Sequence, residues 1–140
     1  MKLLLDTHIW VWSALDRARL SDRMTAALEN PSNELWLSPI SLWEVLTLCQ
    51  KHRLTLHPNP QAWIANALDA VPMREAQITY QVAQETARVQ LPHRDPADRF
   101  LVATARVLDL TLVTADEQLL KARQVSVLAN RTRAVSCATW

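Results

Sequence analysis

The order of apolar and polar residues predicts strands that alternate with helices along most of the chain. Short apolar runs at 3–5, 35–37 and 111–114 are typical of parallel strands that are buried on both faces. Weaker strand signals lie within 72–78 and 125–128, and the second of these is predicted at an edge of the sheet. Such alternation predicts an α/β fold, with a mainly parallel central sheet covered by helices on both faces.

Apolar residues at intervals of three and four predict the helices between these strands. Ser21, Ser38 and Asp95 are side chains that favour the N-cap position, and Thr7 is predicted to cap the first helix. The helix bounds expected from this pattern are 8–15, 21–30, 38–52, 60–71, 79–89, 96–108 and 118–121. In the fourth helix, the residues expected to face the core are Trp63, Ile64, Ala67 and Leu68.

The segment from Asp95 to Asp116 reads as one helix followed by one strand, with acidic residues at both ends. Pro96 suits the first helical position, and Asp109 can adopt the left-handed conformation that ends a helix. The start of such a helix and the carboxyl end of a parallel strand lie at the same edge of the sheet. We therefore expect Asp98 and Asp116 to be neighbours.

Composition indicates one soluble domain. The chain has 140 residues, of which 49% are hydrophobic and 21% charged, and no apolar run approaches the length of a membrane span. The N-terminus lacks the pattern of a signal peptide, and Cys49 and Cys137 lack the spacing of a zinc site. We expect a cytoplasmic protein with a folded unit at 1–128 and a tail at 129–140.

The absence of glycine excludes several classes of enzyme. Phosphate-binding P-loops, dinucleotide-binding turns and the nucleophile elbow of hydrolases all require glycine for their backbone geometry. The formal net charge of +1 also argues against nucleic-acid binding by bulk electrostatics. A local site in which metal ions supply positive charge remains open.

Two further acidic residues stand out by their positions. Asp6 follows the first strand directly, at the sheet edge where α/β proteins bind ligands. Glu44 lies on a helical stripe between Ile40 and Leu48, where a glutamate needs a partner. That partner is either a nearby arginine in an ion pair or a cation in a polar cavity.

The fold brings Asp6, Glu44, Asp98 and Asp116 toward one cleft. Carboxylates at close range repel one another, and a divalent cation removes that cost. An all-oxygen set favours Mg²⁺ or Mn²⁺ over zinc, and the chemistry that follows is metal-assisted hydrolysis of a phosphodiester. Asp6 and Asp98 are the expected direct ligands, whereas Glu44 and Asp116 would serve a second ion or ligated waters.

Other residues have a functional and a structural interpretation. His8 and Arg99 could contact a substrate, but a histidine beside a strand is commonly a local hydrogen-bonding residue, and surface arginines are usually solvated. Several tryptophans could stack on bases, although packing in the core or at a dimer interface is the more common use of such positions. They are Trp10, Trp12, Trp36, Trp43 and Trp63.

Together these motifs resemble the PIN-domain ribonucleases of the VapC toxin type. The resemblance covers about residues 2–128, and its parts are Leu-Leu-Leu-Asp6-Thr7-His8, Ser38-Pro39-Ile40-Ser41-Leu42-Trp43-Glu44, Leu91-Pro92-His93-Arg94-Asp95-Pro96-Ala97-Asp98-Arg99 and Leu112-Val113-Thr114-Ala115-Asp116. It implies an α/β/α sandwich, Mg²⁺ or Mn²⁺, endonucleolytic cleavage of RNA, a homodimer and a cognate antitoxin. The acidic positions it implies are Asp6, Glu44, Asp98 and Asp116.

The sequence is also compatible with two other functional hypotheses. A catalytically inactive relative would bind RNA or a partner without cutting. A phosphatase or receiver-like domain would use Asp6 as a nucleophile, but His8 occupies the place where such phosphatases carry a second aspartate. Many relatives also have Phe at the position of Ala97, which bears on local packing and leaves the acidic residues in place.

Overall fold

The computed structural model describes residues 1–91 and 95–131 and contains one five-stranded parallel sheet. The strands are β1 (Lys2–Leu5), β2 (Glu34–Leu37), β3 (Arg74–Glu75), β4 (Thr111–Thr114) and β5 (Val127–Ala129). Their order in the sheet is β3-β2-β1-β4-β5, and all four pairings are parallel. This architecture confirms the predicted α/β fold and the edge position of the last strand. The motif residues at 92–94 and the tail from 132 lie outside the described residues.

Seven α-helices connect and cover these strands in the described part of the chain. They are α1 (Thr7–Leu15), α2 (Asp22–Glu29), α3 (Pro39–Gln50), α4 (Pro60–Ala70), α5 (Tyr80–Glu85), α6 (Pro96–Leu108) and α7 (Glu117–Ala122). Short 3₁₀ turns at Arg17–Arg19 and Thr86–Arg88 follow α1 and α5. The predicted helices are therefore all present. The fifth is shorter than expected because its last turn is 3₁₀ rather than α-helical.

Side-chain caps define where most of these helices begin. The side chains of Ser21, Ser38 and Asp95 accept hydrogen bonds from backbone N–H groups of the first turn, as predicted. The predicted cap at Thr7 is wrong, because α1 begins at Thr7 itself and Asp6 occupies the cap position in an extended conformation. The buried hydroxyl of Thr7 instead forms a 2.9 Å hydrogen bond with the hydroxyl of Ser41.

Two hydrophobic clusters fill the spaces above and below the sheet. Leu3 and Leu5 belong to the cluster that contains α1, whereas Leu4 belongs to the cluster that contains α6. Alternate residues of a strand point to opposite faces, so β1 contributes to both layers. Leu68 was expected in the core but is 39% exposed, because the buried stripe of α4 centres on Ile64.

The folded unit extends beyond the predicted end at Leu128. Strand β5 continues through Ala129, and Asn130 is buried. The backbone N–H of Asn130 donates a 2.8 Å hydrogen bond to the carbonyl of Thr114, which extends the β4–β5 pairing by one step. The start of the predicted tail therefore belongs to the sheet, since its backbone groups are paired there. Within the described ranges, no helix has the length and apolar character required to cross a membrane.

Candidate active site

Asp6 lies where the strand order reverses in the middle of the sheet. The chain passes from β1 to β2 on one side, and β4 pairs with β1 on the other side, which is the position where open α/β sheets bind ligands. Asp6 is 4% exposed, and its Oδ2 accepts a 2.7 Å hydrogen bond from the hydroxyl of Thr114. Burial nevertheless raises the pKa of Asp6 to about 6, since this hydrogen bond offsets only part of the desolvation cost.

Asp98 lies in the first turn of α6, at the same edge of the sheet as Asp6. Its side chain is buried, with 7% exposed, and burial is the main reason why its pKa rises to about 9. Asp6 is the nearby carboxylate that raises this pKa most, followed by Asp95, Asp116 and Glu44. Asp6 and Asp98 are therefore within electrostatic reach of each other, although 92 positions separate them in the chain.

Glu44 approaches the pocket from α3, whose start lies at the same edge of the sheet. Burial raises the pKa of Glu44, a hydrogen bond from the side chain of Thr7 lowers it, and the charges of Asp6 and Asp95 raise it again. The charges of Asp6 and Asp95 thus act on Glu44, as either explanation of this glutamate, an ion pair or a bound cation, would allow.

Asp116 completes the group at the carboxyl end of β4. Its Oδ1 accepts a 2.8 Å hydrogen bond from the backbone N–H of Gln118 and so caps α7. Its own N–H donates to the hydroxyl of Thr114 over 3.0 Å. One hydroxyl therefore connects Asp6 to the backbone of Asp116, and the Asp116 charge raises the pKa of both Asp6 and Asp98. The structure places the four sequence-predicted acidic residues in one neighbourhood.

Asp95 is a fifth acidic residue of this neighbourhood that the sequence interpretation treated only as a helix cap. Its Oδ1 accepts a 3.0 Å hydrogen bond from the N–H of Ala97, as a cap should. Its charge also raises the pKa of Asp6, Glu44 and Asp98. The sequence contains a signal for this position of Asp95, because Asp95 and Asp98 are three residues apart and residues at that spacing share one side of a helix.

The two candidate substrate-binding residues have different surroundings. The ring of His8 lies 5.7 Å from that of Trp12, and burial lowers its pKa, while the charges of Glu44 and Asp116 raise it. His8 therefore borders the acidic pocket. Nη1 of Arg99 donates a 2.7 Å hydrogen bond to the carbonyl of Val89, which ties this side chain to the segment before α6.

Comparison with known proteins identifies the family. The PIN domain profile matches residues 3–125. The chain belongs to the PIN-domain family. Ribonuclease VapC22 of Mycobacterium tuberculosis is 34% identical over 120 residues, which cover 84% of this chain and 88% of that protein. Within the PIN-domain family, the chain is therefore of the VapC type.

Solved structures show the same PIN fold at low sequence identity. The structure of VapBC2 from Rickettsia felis bound to a promoter DNA fragment matches with a TM-score of 0.71 and 15% identity, covering 94% of this chain and 100% of that one. DNA-bound VapBC from Salmonella typhimurium matches with a TM-score of 0.66 and 15% identity, covering 92% and 98%. These likenesses support the α/β sandwich architecture.

The donor set of this PIN domain is compatible with a hard divalent cation. Every candidate ligand is a carboxylate, and three of them, Asp6, Glu44 and Asp98, have pKa values raised by burial and by neighbouring acidic charges, a cost that a bound cation would remove. Across residues 1–91 and 95–131, no three His, Cys, Asp or Glu side chains already converge as a complete ligand group. Mg²⁺ commonly binds through one or two carboxylates and retains waters, so the buried pair Asp6 and Asp98 suits it.

Proposed function

We propose that this protein is a divalent-metal-dependent endoribonuclease and acts as the toxin of a toxin–antitoxin pair. The proposal assigns Asp6, Glu44, Asp98 and Asp116 to the site that hydrolyses RNA phosphodiester bonds. The observation that supports it most is the burial of Asp6 and Asp98 within electrostatic reach of each other, with Asp6 at the point where the strand order reverses. Two buried carboxylates within such reach lower the stability of a protein unless a positive charge or a proton compensates them.

Mg²⁺ or Mn²⁺ would be held by Asp6 and Asp98, with Glu44 and Asp116 reaching it through waters or binding a second ion. When bound, such an ion neutralises charge on the phosphate and favours deprotonation of water. Thr114 holds Asp6 in place through the 2.7 Å hydrogen bond. Glu44 is only half-buried, so its carboxylate can contact water at the pocket and accept the proton that the attacking water loses.

His8 and Arg99 are assigned to the substrate in this proposal. His8 borders the acidic residues and can donate or accept a hydrogen bond as a neutral imidazole, which its lowered pKa favours. Arg99 uses Nη1 to bind Val89, and its remaining N–H groups are available for a phosphate oxygen.

The toxin role follows from the relatives. A ribonuclease of the VapC type is 34% identical, and several structural neighbours of this chain belong to toxin–antitoxin systems. We infer a cognate antitoxin as the partner and the cytoplasm, where RNA is present, as the location. We also infer a homodimer. Exposed apolar side chains such as Trp43, at 52%, and Tyr80, at 92%, are available for its interface.

Cleavage-site mapping on total RNA tests this proposal. Wild-type protein should cut in the presence of Mg²⁺ or Mn²⁺ and should not cut in excess chelator. Asp6→Asn and Asp98→Asn should each lose at least about 100-fold in rate, because each removes a proposed ligand. Asp109→Asn is the matched control: it makes the same change on an exposed residue of the α6 C-cap, whose left-handed conformation asparagine also adopts.

The inactive RNA-binding module gives a different result in the same experiment. If wild type, Asp6→Asn and Asp98→Asn all bind RNA equally and none of them cuts, the nuclease assignment is wrong. Induced expression in a bacterial host tests the toxin role separately: wild type should stop growth, and Asp98→Asn should not.

A further inference from the structure

An RNA strand that enters this pocket meets an unfavourable field unless basic groups lie beside it. Five acidic residues lie within electrostatic reach of one another at the candidate site, and the formal charge of the whole chain is only +1. Phosphates that flank a cleaved bond are commonly held by arginine or lysine side chains, which position the strand without reading its sequence. Placement of the basic residues near the site therefore decides where a strand can lie.

Buried Asn130 attaches one basic segment to the edge of the sheet that carries the acidic residues. Its Oδ1 accepts a 2.7 Å hydrogen bond from the N–H of Ser21, and its Nδ2 donates a 2.9 Å hydrogen bond to the carbonyl of Arg19. Its backbone N–H binds the carbonyl of Thr114, the residue whose hydroxyl contacts Asp6. The turn at Arg19 is thus held close to the acidic pocket, although it is distant from β4 in the sequence.

A series of ring contacts connects Arg19 to the pocket. The guanidinium carbon of Arg19 lies 5.5 Å from the ring centroid of buried Trp12, and the Trp12 ring lies 5.7 Å from that of His8. Arg19 is therefore a cation held in a defined place at the border of the acidic residues.

The partner that Arg19 has in this structure can be exchanged. Nε of Arg19 lies 3.1 Å from Oδ2 of Asp16, with side chains 38% and 51% exposed. An exposed ion pair of this kind contributes at most about 1 kcal/mol. A phosphate can accept two parallel N–H groups of a guanidinium, so it can replace the single contact that Nε makes with this solvated carboxylate. Stacking on Trp12 keeps the guanidinium oriented while its partner changes.

Two more arginines extend this basic surface along β5. Arg23 and Arg131 are both exposed and line one surface cavity of about 460 Å³, together with Ser21 and the strand residues 127–129. Strand β5 is the neighbour of β4 in the sheet, and neighbouring strands lie about 4.8 Å apart. This cavity is therefore one strand away from the carboxyl end of β4, where Asp116 follows. We propose that Arg19, Arg23 and Arg131, the basic rim, bind backbone phosphates of the RNA strand next to the cleaved bond. This inference rests on the proposed function.

RNA binding as a function of salt tests the basic rim directly. A fluorescent single-stranded oligoribonucleotide is titrated with Asp98→Asn protein, which should bind without cutting. The same protein is also tested with Arg19→Gln, with the pair Arg23→Gln and Arg131→Gln, and with all three arginine substitutions together (the triple variant). The logarithm of the RNA-binding constant falls linearly with the logarithm of the salt concentration. Each lost phosphate contact should reduce the magnitude of this slope by about 0.7. The triple variant should therefore lose about 2 in slope.

Arg17→Gln is the matched control. It removes the same charge from the same 3₁₀ turn, but Arg17 pairs with Glu29 at 2.6 Å and does not belong to the basic rim. Arg17→Gln should leave the slope unchanged. Equal losses for Arg17→Gln and Arg19→Gln would overturn the proposal, because they would show a general charge effect. An unchanged slope in the triple variant would overturn it as well.

Cleavage kinetics separate this inference from the proposed function. With active protein, Arg19→Gln should raise KM several-fold and leave kcat nearly unchanged, since it acts on binding away from the reacting atoms. A melting temperature equal to that of wild type excludes unfolding, and the exposed pair Arg23 and Arg131 provides the same test if Arg19→Gln is unstable. Wild-type protein that binds RNA with the expected salt slopes but never cuts it would refute the nuclease and support the basic rim.

Discussion

The hydroxyl of Thr114 donates a 2.7 Å hydrogen bond to Oδ2 of Asp6, and 108 positions of sequence separate the two residues. The same hydroxyl accepts the backbone N–H of Asp116 at 3.0 Å. Asp6 and Thr114 are buried and Asp116 is half-buried, so little water reaches this contact. The Thr114 hydroxyl therefore orients the Asp6 carboxylate. The Thr114 hydroxyl thus connects the acidic side chain that follows β1 with the backbone of the acidic residue that follows β4.

Thr114→Val should weaken metal-dependent cleavage while the fold is retained. Valine has a similar shape but cannot hold Asp6, and loss of a hydrogen bond to a metal-binding carboxylate typically costs about 10- to 100-fold in metal affinity. The measurement is the Mg²⁺ concentration needed for half-maximal cleavage. Thr114→Ser retains the hydroxyl and should behave like wild type. A Thr114→Val protein with an unchanged Mg²⁺ requirement would show that Asp6 does not depend on this bond.

Asp98→Asn should stabilise the metal-free protein while it abolishes cleavage. The pKa of Asp98 is raised from 3.8 to about 9 in the folded state, so between these values the folded protein holds a proton that the unfolded chain releases. The favourable contribution of this bound proton to the free energy of unfolding is complete below the pKa of the unfolded chain, 3.8, and is lost as the pH rises toward 9. The free energy of unfolding should therefore fall by about 1 kcal/mol per pH unit in this range.

Urea unfolding in chelator at several pH values measures this effect. Wild type should lose stability steadily from pH 6 to pH 8, and Asp98→Asn should show a flatter profile and higher stability at pH 8. Asp109→Asn, on the exposed end of the same helix, should follow wild type. An Asp98→Asn protein that is less stable than wild type at pH 8 would indicate that the Asp98 carboxylate makes a net favourable interaction at the start of α6 rather than belonging to a repelling cluster.

Mg²⁺ should raise the melting temperature of the wild-type protein. A ligand at 100 times its dissociation constant adds about 2.7 kcal/mol to the free energy of unfolding, which corresponds to about 5–10 °C for a domain of this size. Differential scanning calorimetry with MgCl₂ measures the shift, and NaCl at the same ionic strength controls for screening. Asp6→Asn should lose most of the shift. An equal shift in Asp6→Asn and wild type would place the bound ion elsewhere.

Asn130→Ala should destabilise the protein by about 2–4 kcal/mol. Its buried side chain satisfies the N–H of Ser21 and the carbonyl of Arg19, and alanine leaves both groups without this partner. Chemical denaturation measures the loss. Asn66→Ala is the control, because Asn66 is an exposed residue of α4, and it should change stability by less than about 0.5 kcal/mol. A loss equally small for Asn130→Ala would mean that the last strand contributes little to the attachment of the Arg19 turn.

Most secondary structure could be predicted from the sequence because its signals are local. Asp95 and Pro96 begin α6, and Asp109 ends it in the left-handed conformation with φ 54°, as expected for a chain without glycine. The all-apolar run at 3–5 became the central strand, since only a strand covered on both faces buries consecutive leucines. The bounds of α6 and the assignment of β1 both depend on residues close by in the sequence.

Errors occurred where a local preference competed with distant partners. Thr7 has a side chain suited to capping, but its buried hydroxyl binds Ser41 of α3, and Asp6 takes the cap position. Asn130 follows the last strand signal in a stretch without periodicity, yet hydrogen bonds to Ser21, Arg19 and Thr114 place it in the fold. Their partners lie 16 to 111 positions away, so a local sequence pattern contains no signal for them.

The sequence by itself determined which residues could bind a hard cation and at which ends of their elements they stand. Acidic residues after strands and at helix starts follow from hydrophobic periodicity and caps, both short-range properties. Only the tertiary structure decided that Asp95 joins them, that Thr114 connects Asp6 to Asp116, and that Arg19 borders the same pocket. The physical reason is that charge repulsion, desolvation and hydrogen bonding depend on distances in space, which parallel strand pairing sets between segments remote in the chain.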